Sequence, residues 1–423
     1  MCSHRYAVRR KTPTGGLDGE ERTPAGCSVR EDVSPQGPDG LGTSLSLATF
    51  IRTPRPGAGG VVRASSRPTY IGRAIDRPRG TLRDMELAIT ALDPADDAAI
   101  DEAVRLLDAA RRADVPDMPE PCRHWLAGAL RFPRKSTRVT AFVAHAGDTM
   151  VGYMLTWLPI LDNLENSDLE ITVHPAYRRR GVGRAMYAYA IDFLKADGRK
   201  RTVGMTVETM PGGPERDGAG GAFAAAMGAS NALGEVRRRL DLSTLDNALL
   251  DKLLAEGLER ADGYRLVQWR DRVPDEYAAD VAYLDSRMIT DAPLGDIKWE
   301  PEKVDVERIR EGEAQRQAQG VRSYSTGIVH EESGRLVSLT AIGSEKSVLD
   351  HGWQWITIVE PNHRGHRLGM IAKIENLRYA LAHEPEFRVI DTWNAAVNKH
   401  MISINEAMGF RPIDSWVNWQ LEF

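Results

Sequence analysis

Three cysteines in 423 residues, Cys2, Cys27 and Cys122, leave no disulfide framework and no CxxC pair for a structural metal site. The chain has no apolar run long enough to span a membrane. It also lacks an excess of positive charge. The net charge is −5, and residues 1–84 carry 14 Lys and Arg against 8 Asp and Glu, whereas the remainder carries 41 against 52. A mildly acidic body argues against binding that depends on neutralising many phosphates, so neither nucleic acid nor membrane is expected as a partner. Scarce cysteine fits a reducing compartment, read here as the cytoplasm.

Residues 1–84 are rich in Gly, Pro, Ser and Arg and show no sustained periodicity. Such a segment buries too little apolar surface to offset its ordering entropy and is expected to be disordered. No apolar stretch precedes a small-residue cleavage site, and Asp18, Glu20, Glu21, Glu31 and Asp32 count against a transit peptide. Patterned sequence begins just after Met85, which reads as an alternative start.

From Glu86 onward the periodicity is regular. Leu87–Leu92 alternates as a strand, Asp96–Arg112 is helical, and a second helix is expected near His124–Leu130. Thr140–Ala146 and Met150–Leu158 read as a hairpin turning at Gly147-Asp148. A strand at Leu169–Val173, a helix over Gly183–Lys195 and a strand at Thr202–Val207 follow. After a Gly-Pro loop come a short helix at Ala222–Gly228, a longer one at Leu242–Ala261 and a closing strand at Tyr264–Trp269, with a boundary at Pro274. The second half repeats the order: helices at Tyr277–Asp285 and Val304–Ala318, then a hairpin of Tyr324–Glu331 with Leu336–Ile342. A strand at Trp353–Val359, a helix at Leu368–Ala382, a strand at Val389–Asn394, a helix at Lys399–Met408 and a final strand at Trp416–Phe423 complete it. The expected fold is mixed α/β in two tandem domains, 85–273 and 274–423, after the extension 1–84. Most consecutive strands are joined without a helix, which disfavours a doubly wound parallel sheet.

One pattern is written twice. Val173-His-Pro-Ala-Tyr-Arg-Arg-Arg-Gly-Val-Gly183 and Val359-Glu-Pro-Asn-His-Arg-Gly-His-Arg-Leu-Gly369 each follow a strand and open a helix. A turn of Gly and Arg at a helix start collects unpaired amides and a favourable dipole, so each copy reads as an anion cradle. A lone turn of this kind is more often only a turn; two copies in the same context favour the cradle.

With Val173, Pro175, Arg178, Gly181 and Gly183, and again Val359, Pro361, Arg364 and Gly369, both halves resemble the GNAT superfamily of acyl-CoA-dependent N-acetyltransferases. Asn398 to Phe410 resembles a second signature of that family, and the tandem layout is similar to the mycothiol-synthase type found in actinobacteria. The likeness covers about residues 86–423. It implies acetyl-CoA as co-substrate and a small-molecule or peptide amine as acceptor. The diphosphate would lie on Arg178, Arg179, Arg180, Gly181, Val182, Gly183 and Arg184, or on Arg364, Gly365, His366, Arg367, Leu368, Gly369 and Met370. The pantetheine arm would lie along Ile171, Thr172 and Val173, or Thr357, Ile358 and Val359, with Asn398 beside it.

The chemistry implied is attack of an amine on an acyl thioester, which needs a base for the ammonium proton. Glu170 or Asp168 and Asp350 or His351 are the candidates. The acid is usually a tyrosine on the last helix, but Asn405 stands at that place; Tyr324 or water is the substitute. The first loop has the better glycines, whereas the second half keeps the later signature with Arg367 in the loop. The other reading is a noncatalytic acyl-CoA-binding or scaffold protein. His351, His363 and His366 lack carboxylate or thiolate partners, so no metal is expected. Arg237-Arg238-Arg239 reads as a solvated face. Most of the tryptophans read as core, with Trp355 or Trp393 lining an acceptor pocket. The oligomeric state is expected to be monomer or homodimer.

Overall fold

Leu87, Ile89 and Ala91 alternate with smaller or exposed residues, and such period-2 runs fold into strands from the start of the described chain. The computed structural model describes residues 86–423, all within one compact unit, and the extension at 1–84 lies outside the described residues. The first half runs β1 (Leu87–Ala91), α1 (Asp97–Asp114), α2 (Arg123–Arg131), β2 (Thr137–Ala146), β3 (Thr149–Pro159) and β4 (Asp168–Val173). It continues with α3 (Val182–Ala196), β5 (Arg201–Glu208), α4 (Ala219–Ala226) and β6 (Ser230–Asp241). A connecting helix, α5 (Asn247–Leu258), leads to the second half. That half runs β7 (Tyr264–Arg270), α6 (Ala278–Ser286), α7 (Met288–Asp291), α8 (Val306–Ala318), β8 (Val321–His330), β9 (Leu336–Glu345) and β10 (His351–Val359). It ends with α9 (Leu368–His383), β11 (Val389–Ala395), α10 (Lys399–Ala407) and β12 (Arg411–Glu422).

Side-chain caps start several helices. Asp96, Asp246, Asp305 and Asn398 each accept a hydrogen bond from a first-turn amide of α1, α5, α8 and α10. The strands form one mixed sheet in the order β1-β2-β3-β4-β5-β12-β6-β11-β10-β9-β8-β7. Strand alternation sends Tyr153 and Leu155 to a core under α1 and α2, and Met154 to a core under α3. Helix α9 covers one side of the second half with Ile374 and Leu377, and α6 and α8 contribute Leu284 and Ile309 to a separate core.

The centre of the sheet departs from the sequence reading in two places. The final strand β12 crosses to pair with β5, from Ser415 opposite Glu208 to Glu422 opposite Arg201, while β6 pairs with β11, from Asp241 opposite Val389 to Glu235 opposite Ala395. β6 and β12 also pair with each other. Each half therefore passes its last strand into the other's side of the sheet. β6 itself was not anticipated, because its run Val-Arg-Arg-Arg reads as surface; Arg237 is fully buried and Arg238 is 6% exposed. β7, expected to close the first half, is instead the far edge of the second, paired with β8.

The two halves also touch through helices. A methyl group added at Gly128 of α2 would lie 2.7 Å from the Ala318 carbonyl oxygen and 2.7 Å from Gln319 Cα at the end of α8. Backbone cannot move aside as a side chain can. Alanine should gain about 1 kcal/mol of helix propensity over glycine, yet overpacking costs about 1–3 kcal/mol. Gly128→Ala should therefore lower stability in urea unfolding; a stabilised variant would show that α2 and α8 are not held this closely.

Candidate active site

The two Arg-Gly turns share one backbone plan with the special residues exchanged. In the first turn Arg179 (φ 62°) and Gly181 (φ 95°) are left-handed; in the second Gly365 (φ 88°) and Arg367 (φ 59°) take the same two places. A left-handed arginine costs roughly 1–2 kcal/mol relative to glycine, so Arg367 keeps the path of the glycine it replaces at that cost. Gly181 and Arg367 are the residues preceding α3 and α9, and neither helix has a side-chain cap. The first amides of both helices are thus left for an anion.

Arg178 and Arg364 hold the turns in matching ways. Arg178 Nε donates to the Val173 carbonyl (3.1 Å) and its two terminal nitrogens grip the Asp114 carboxylate (2.6 and 2.7 Å). Arg364 Nε donates to the Val359 carbonyl (3.2 Å), and Nη2 reaches Asp291 (2.8 Å). Both side chains, expected on the diphosphate, tie the turn to a helix of the opposite layer. Arg180 lies over the Tyr177 ring, Val182 is buried, and Arg184 follows on the first turn of α3.

Beside the second turn a slot of about 450 Å³ opens. β10 pairs with β11 only from His351 to Trp353 and then diverges. Thr357, Ile358, Val359, Arg364, Gly365, Arg367, Leu368, Gly369 and Met370 line the gap together, as expected. His363, His400, Met401, Ser403 and Ile404 join them without having been anticipated as binding residues; the signal missed was that α10 faces the splayed strands. β4 and β5 also part after a single pair, Asp168 with Val203. There Phe223 of α4 lies 3.5 Å from where a Gly183 methyl would sit, meets Tyr187 edge-on, and so occupies the place that Ile404 has near Gly369. Ile171, Thr172 and Val173 follow on β4, half-buried and beyond the single pair with β5.

The halves differ most in the motif strand. β4 pairs with β3 in unbroken register from Gly152–Val173 to Trp157–Asp168. β10 breaks register against β9: Gln354 faces Ile342 and Thr357 faces Thr340, so Trp355 and Ile356 oppose Ala341 alone. This is a β-bulge, which takes a residue out of the ladder. The Gln354 side chain donates to the Ala341 carbonyl (2.9 Å), and Thr340 Oγ1 donates to the Ile356 carbonyl (3.1 Å), so side chains stabilise the irregularity. Gly343 makes room for it, since a methyl group there would fall within 2.6 Å of the Trp355 ring.

On the other side of the bulge lies a chamber of about 420 Å³ between the halves. Trp353, Trp355, Trp393 and Trp416 line it from the sheet, and Tyr153, Asp168 and Glu170 from β3 and β4. Protein surrounds the Glu170 side chain although it is open to the chamber, and this burial raises its carboxyl above the usual carboxylate range despite the nearby Thr172 hydroxyl.

The comparisons agree with this geometry. The Acetyltransferase (GNAT) family model matches residues 103–211. A tandem GNAT protein from the clavulanic acid biosynthesis pathway, solved without AcCoA, is 34% identical, with a TM-score of 0.68 over 80% of this chain and 98% of its own. The chain belongs to the GNAT acetyltransferase family. Over 108 residues it is 38% identical to the mycothiol acetyltransferase of Streptomyces avermitilis, a stretch of 25% of this chain and about a third (32%) of that protein. A GCN5-related N-acetyltransferase from Sphaerobacter thermophilus shares the fold at 14% identity, with a TM-score of 0.55 over 79% of this chain and 95% of its own.

Several GNAT residues expected at the reaction centre lie elsewhere. Asp350 sits in the turn before β10, where its carbonyl accepts from the Arg388 and Val389 amides. His351 is buried with Nε2 3.1 Å from Asp391 and its ring against Trp353. Asn405, at the place of the family tyrosine, is buried and donates to Asn394 of β11 (2.7 Å). Asn398 serves as the cap of α10 through the Met401 amide. His366 bonds the Arg260 carbonyl, and His363 bonds the Tyr264 hydroxyl. Tyr324 donates to Glu384 and packs in the core under α9, away from the bulge, and burial pushes its hydroxyl up to about 12. An exposed or solvent-linked acid is not built from it.

His351 belongs to a buried ionic cluster. Arg237 reaches Asp414 (2.6 and 2.9 Å), Asp117 (2.6 Å) and Asp391 (3.1 Å), while Arg216 bonds Asp414 and Asp117, and Arg239 grips Asp391 with two 2.7 Å bonds. Burial alone would raise the Asp391 carboxyl, but Arg239 and His351 donate to it and hold it well below the usual range. Asp391 therefore stabilises the fold fully above its unfolded value of about 4, and that contribution falls away as pH drops below it. Asp391→Asn should flatten the acid limb of stability against pH. Asp414→Asn, which leaves two buried guanidinium groups underpaired, should cost about 3–5 kcal/mol in denaturant unfolding; a loss under about 1 kcal/mol would show that the cluster does not hold the exchanged strands.

Proposed function

We propose that this protein is an acyl-CoA-dependent N-acetyltransferase that acetylates a primary amine, and that its second half carries the chemistry. The observation behind this reading is the β10 bulge. Its residues Trp355 and Ile356 line the chamber, and the next residues, Thr357 to Val359, line the slot beside the Arg-Gly turn. One strand thus joins a cofactor slot to an acceptor space, with an irregular backbone at the junction.

The slot suits acetyl-CoA, the acyl donor of the family. The uncapped start of α9 and the left-handed turn supply backbone donors, and Arg367 and His400 add donors beside them. Thr357, Ile358 and Val359 present a strand edge along which an amide-bearing arm can lie. On this reading a backbone amide freed at the bulge serves as donor to the acyl oxygen. The acceptor must arrive as a free amine, and Glu170 is the carboxylate in the chamber suited to take its proton, directly or through water. The thiolate that leaves takes a proton from water.

The first half has unbroken β3–β4 pairing and Phe223 beside Gly183, which supports a binding or structural part for its turn. We place the division between the two acetyltransferase units in the α5 connection, ahead of β7.

Gly369 lies 3.6 Å from Val359 and 3.8 Å from Ile404, measured from the added methyl position. Gly369→Trp should fill the slot and reduce acetyl-CoA turnover with a reactive amine by roughly hundredfold, about 2.7 kcal/mol, while Gly183→Trp retains most activity. Circular dichroism checks that both variants fold. Equal losses would refute a single catalytic half, and full activity in Gly369→Trp would refute the slot.

A further inference from the structure

The chamber between the halves is built for a particular kind of guest. Six indole rings face it: Trp125 and Trp157 from the first half, Trp353, Trp355 and Trp393 from the second, and Trp416 from the exchanged strand β12. Carboxylates outnumber cations on its walls. Glu120, Asp168, Glu170, Asp285, Glu302 and Glu345 line it against one cation, Arg134. Arg134 is already bonded to Gln315.

The side chains nearest the first motif strand point the same way. Tyr153 faces Thr172 across the β3–β4 pair, and Leu155 faces Glu170, so Tyr153, Thr172 and Glu170 share one face of the sheet. Tyr153 is 1% exposed, and its hydroxyl has no hydrogen-bond partner among the described residues. Among the described residues, the Glu170 carboxylate accepts only from the Thr172 hydroxyl, at 3.5 Å. A buried hydroxyl left without a partner costs about 1–3 kcal/mol, which a polar group of a bound ligand would recover.

Aromatic faces attract cations through their quadrupoles, and they also bury apolar surface. Like charges close together disfavour ionisation, as Glu302 does for Asp285, and the Arg134, Arg316 and Arg308 guanidinium groups oppose this. Burial and the Glu302 carboxylate raise Asp285 to about 6, and burial raises Glu345 to about 7. An anionic ligand would add to this repulsion. A neutral polyol would leave the indole walls partly unmatched and the Glu170 carboxylate without a counter-charge among the described residues.

We propose that the acceptor is a cation with an apolar body, an aryl- or alkyl-substituted primary amine, held in the tryptophan chamber with its ammonium against Glu170 beside Tyr153. The proposal rests on the N-acetyltransferase reading above and names its substrate class. It also makes the site composite. The first half contributes the carboxylate that receives the ammonium, and the second contributes the bulge at which the acyl group is presented. In the transfer the amine nitrogen forms the C–N bond as the C–S bond breaks. Its proton passes to Glu170 or to water, and the thiolate leaves with the bonding pair.

Binding can be read without turnover. Isothermal calorimetry on the full chain would use 2-phenylethylamine, the neutral isostere 2-phenylethanol, and glucosamine as a polar amine. The expected result is that 2-phenylethylamine binds at least tenfold more tightly than either comparison ligand and about tenfold more weakly to Glu170→Gln. Trp393→Ala should weaken it as well, with folding checked by circular dichroism. The alcohol binding as well as the amine, glucosamine binding better, or no amine binding at millimolar concentration would each overturn the proposal. Acetyl-CoA consumption measured beside the calorimetry separates the two readings. Tight binding of 2-phenylethylamine with no turnover of any amine would sink the enzyme reading alone, and turnover confined to polar amines would sink the substrate class alone.

Discussion

The guanidinium of Arg237 is the point on which the rest of the structure leans. It is fully buried in β6, where the exchanged strands meet, and it bonds carboxylates from β11, from β12 and from the segment after α1. A charge in that position is tolerable only because all of its partners arrive together. Burial opposes its ionisation, but Asp414, Asp391 and Asp117 keep it protonated well above the ordinary arginine value. Those carboxylates come from parts of the chain separated by hundreds of residues, so the ionic cluster exists only when both halves have exchanged strands. It also sets the floor of the chamber: the Trp416 indole donates to Asp414 (2.7 Å), and His351 orients Asp391 beneath Trp353.

From that centre the two halves diverge in opposite ways. The first half keeps a glycine at the helix entry and a regular motif strand; the second pays for a left-handed arginine at the same place but gains a bulge. The regular ladder keeps β4 in step with β3, so no residue is turned out of the pairing on that side. A bulge stabilised by Gln354 and Thr340 gives up one regular pair and gains a redirected backbone. The better glycines and the bulge thus fall in different halves of the chain.

Much of the fold was legible because its signals are local. The Asp96 and Asn398 caps, the Gly147 turn and the two Val-x-Pro turns each act within a few residues, and the structure places helices and strands where they predict. β6 was not legible for a specific reason. Its buried residues include Glu235, Arg237 and Arg238, and a charged run reads as surface unless its distant partners are known. The pairing of β7 with β8 was not legible either, because a strand pairing across the expected boundary leaves no local mark. In the site, the slot-lining residues from Thr357 to Met370 followed the turn motif and came together. His351, Asn405 and Tyr324 did not, since each carries the right chemistry at a suggestive sequence position but is occupied by Asp391, Asn394 and Glu384.

The strand exchange also explains why one chamber is walled by both halves. Placing β12 beside β5 and β6 beside β11 brings both splayed strand pairs into one sheet, with Met205, Trp393 and Trp416 between them on the chamber wall. A chamber made this way cannot be changed from one side alone. Enlarging it at β4 would disturb the face that carries Tyr153 and Glu170, and altering it at β10 would disturb the bulge. On the proposed reading, the first half keeps its carboxylates for the shared space rather than for its own turn.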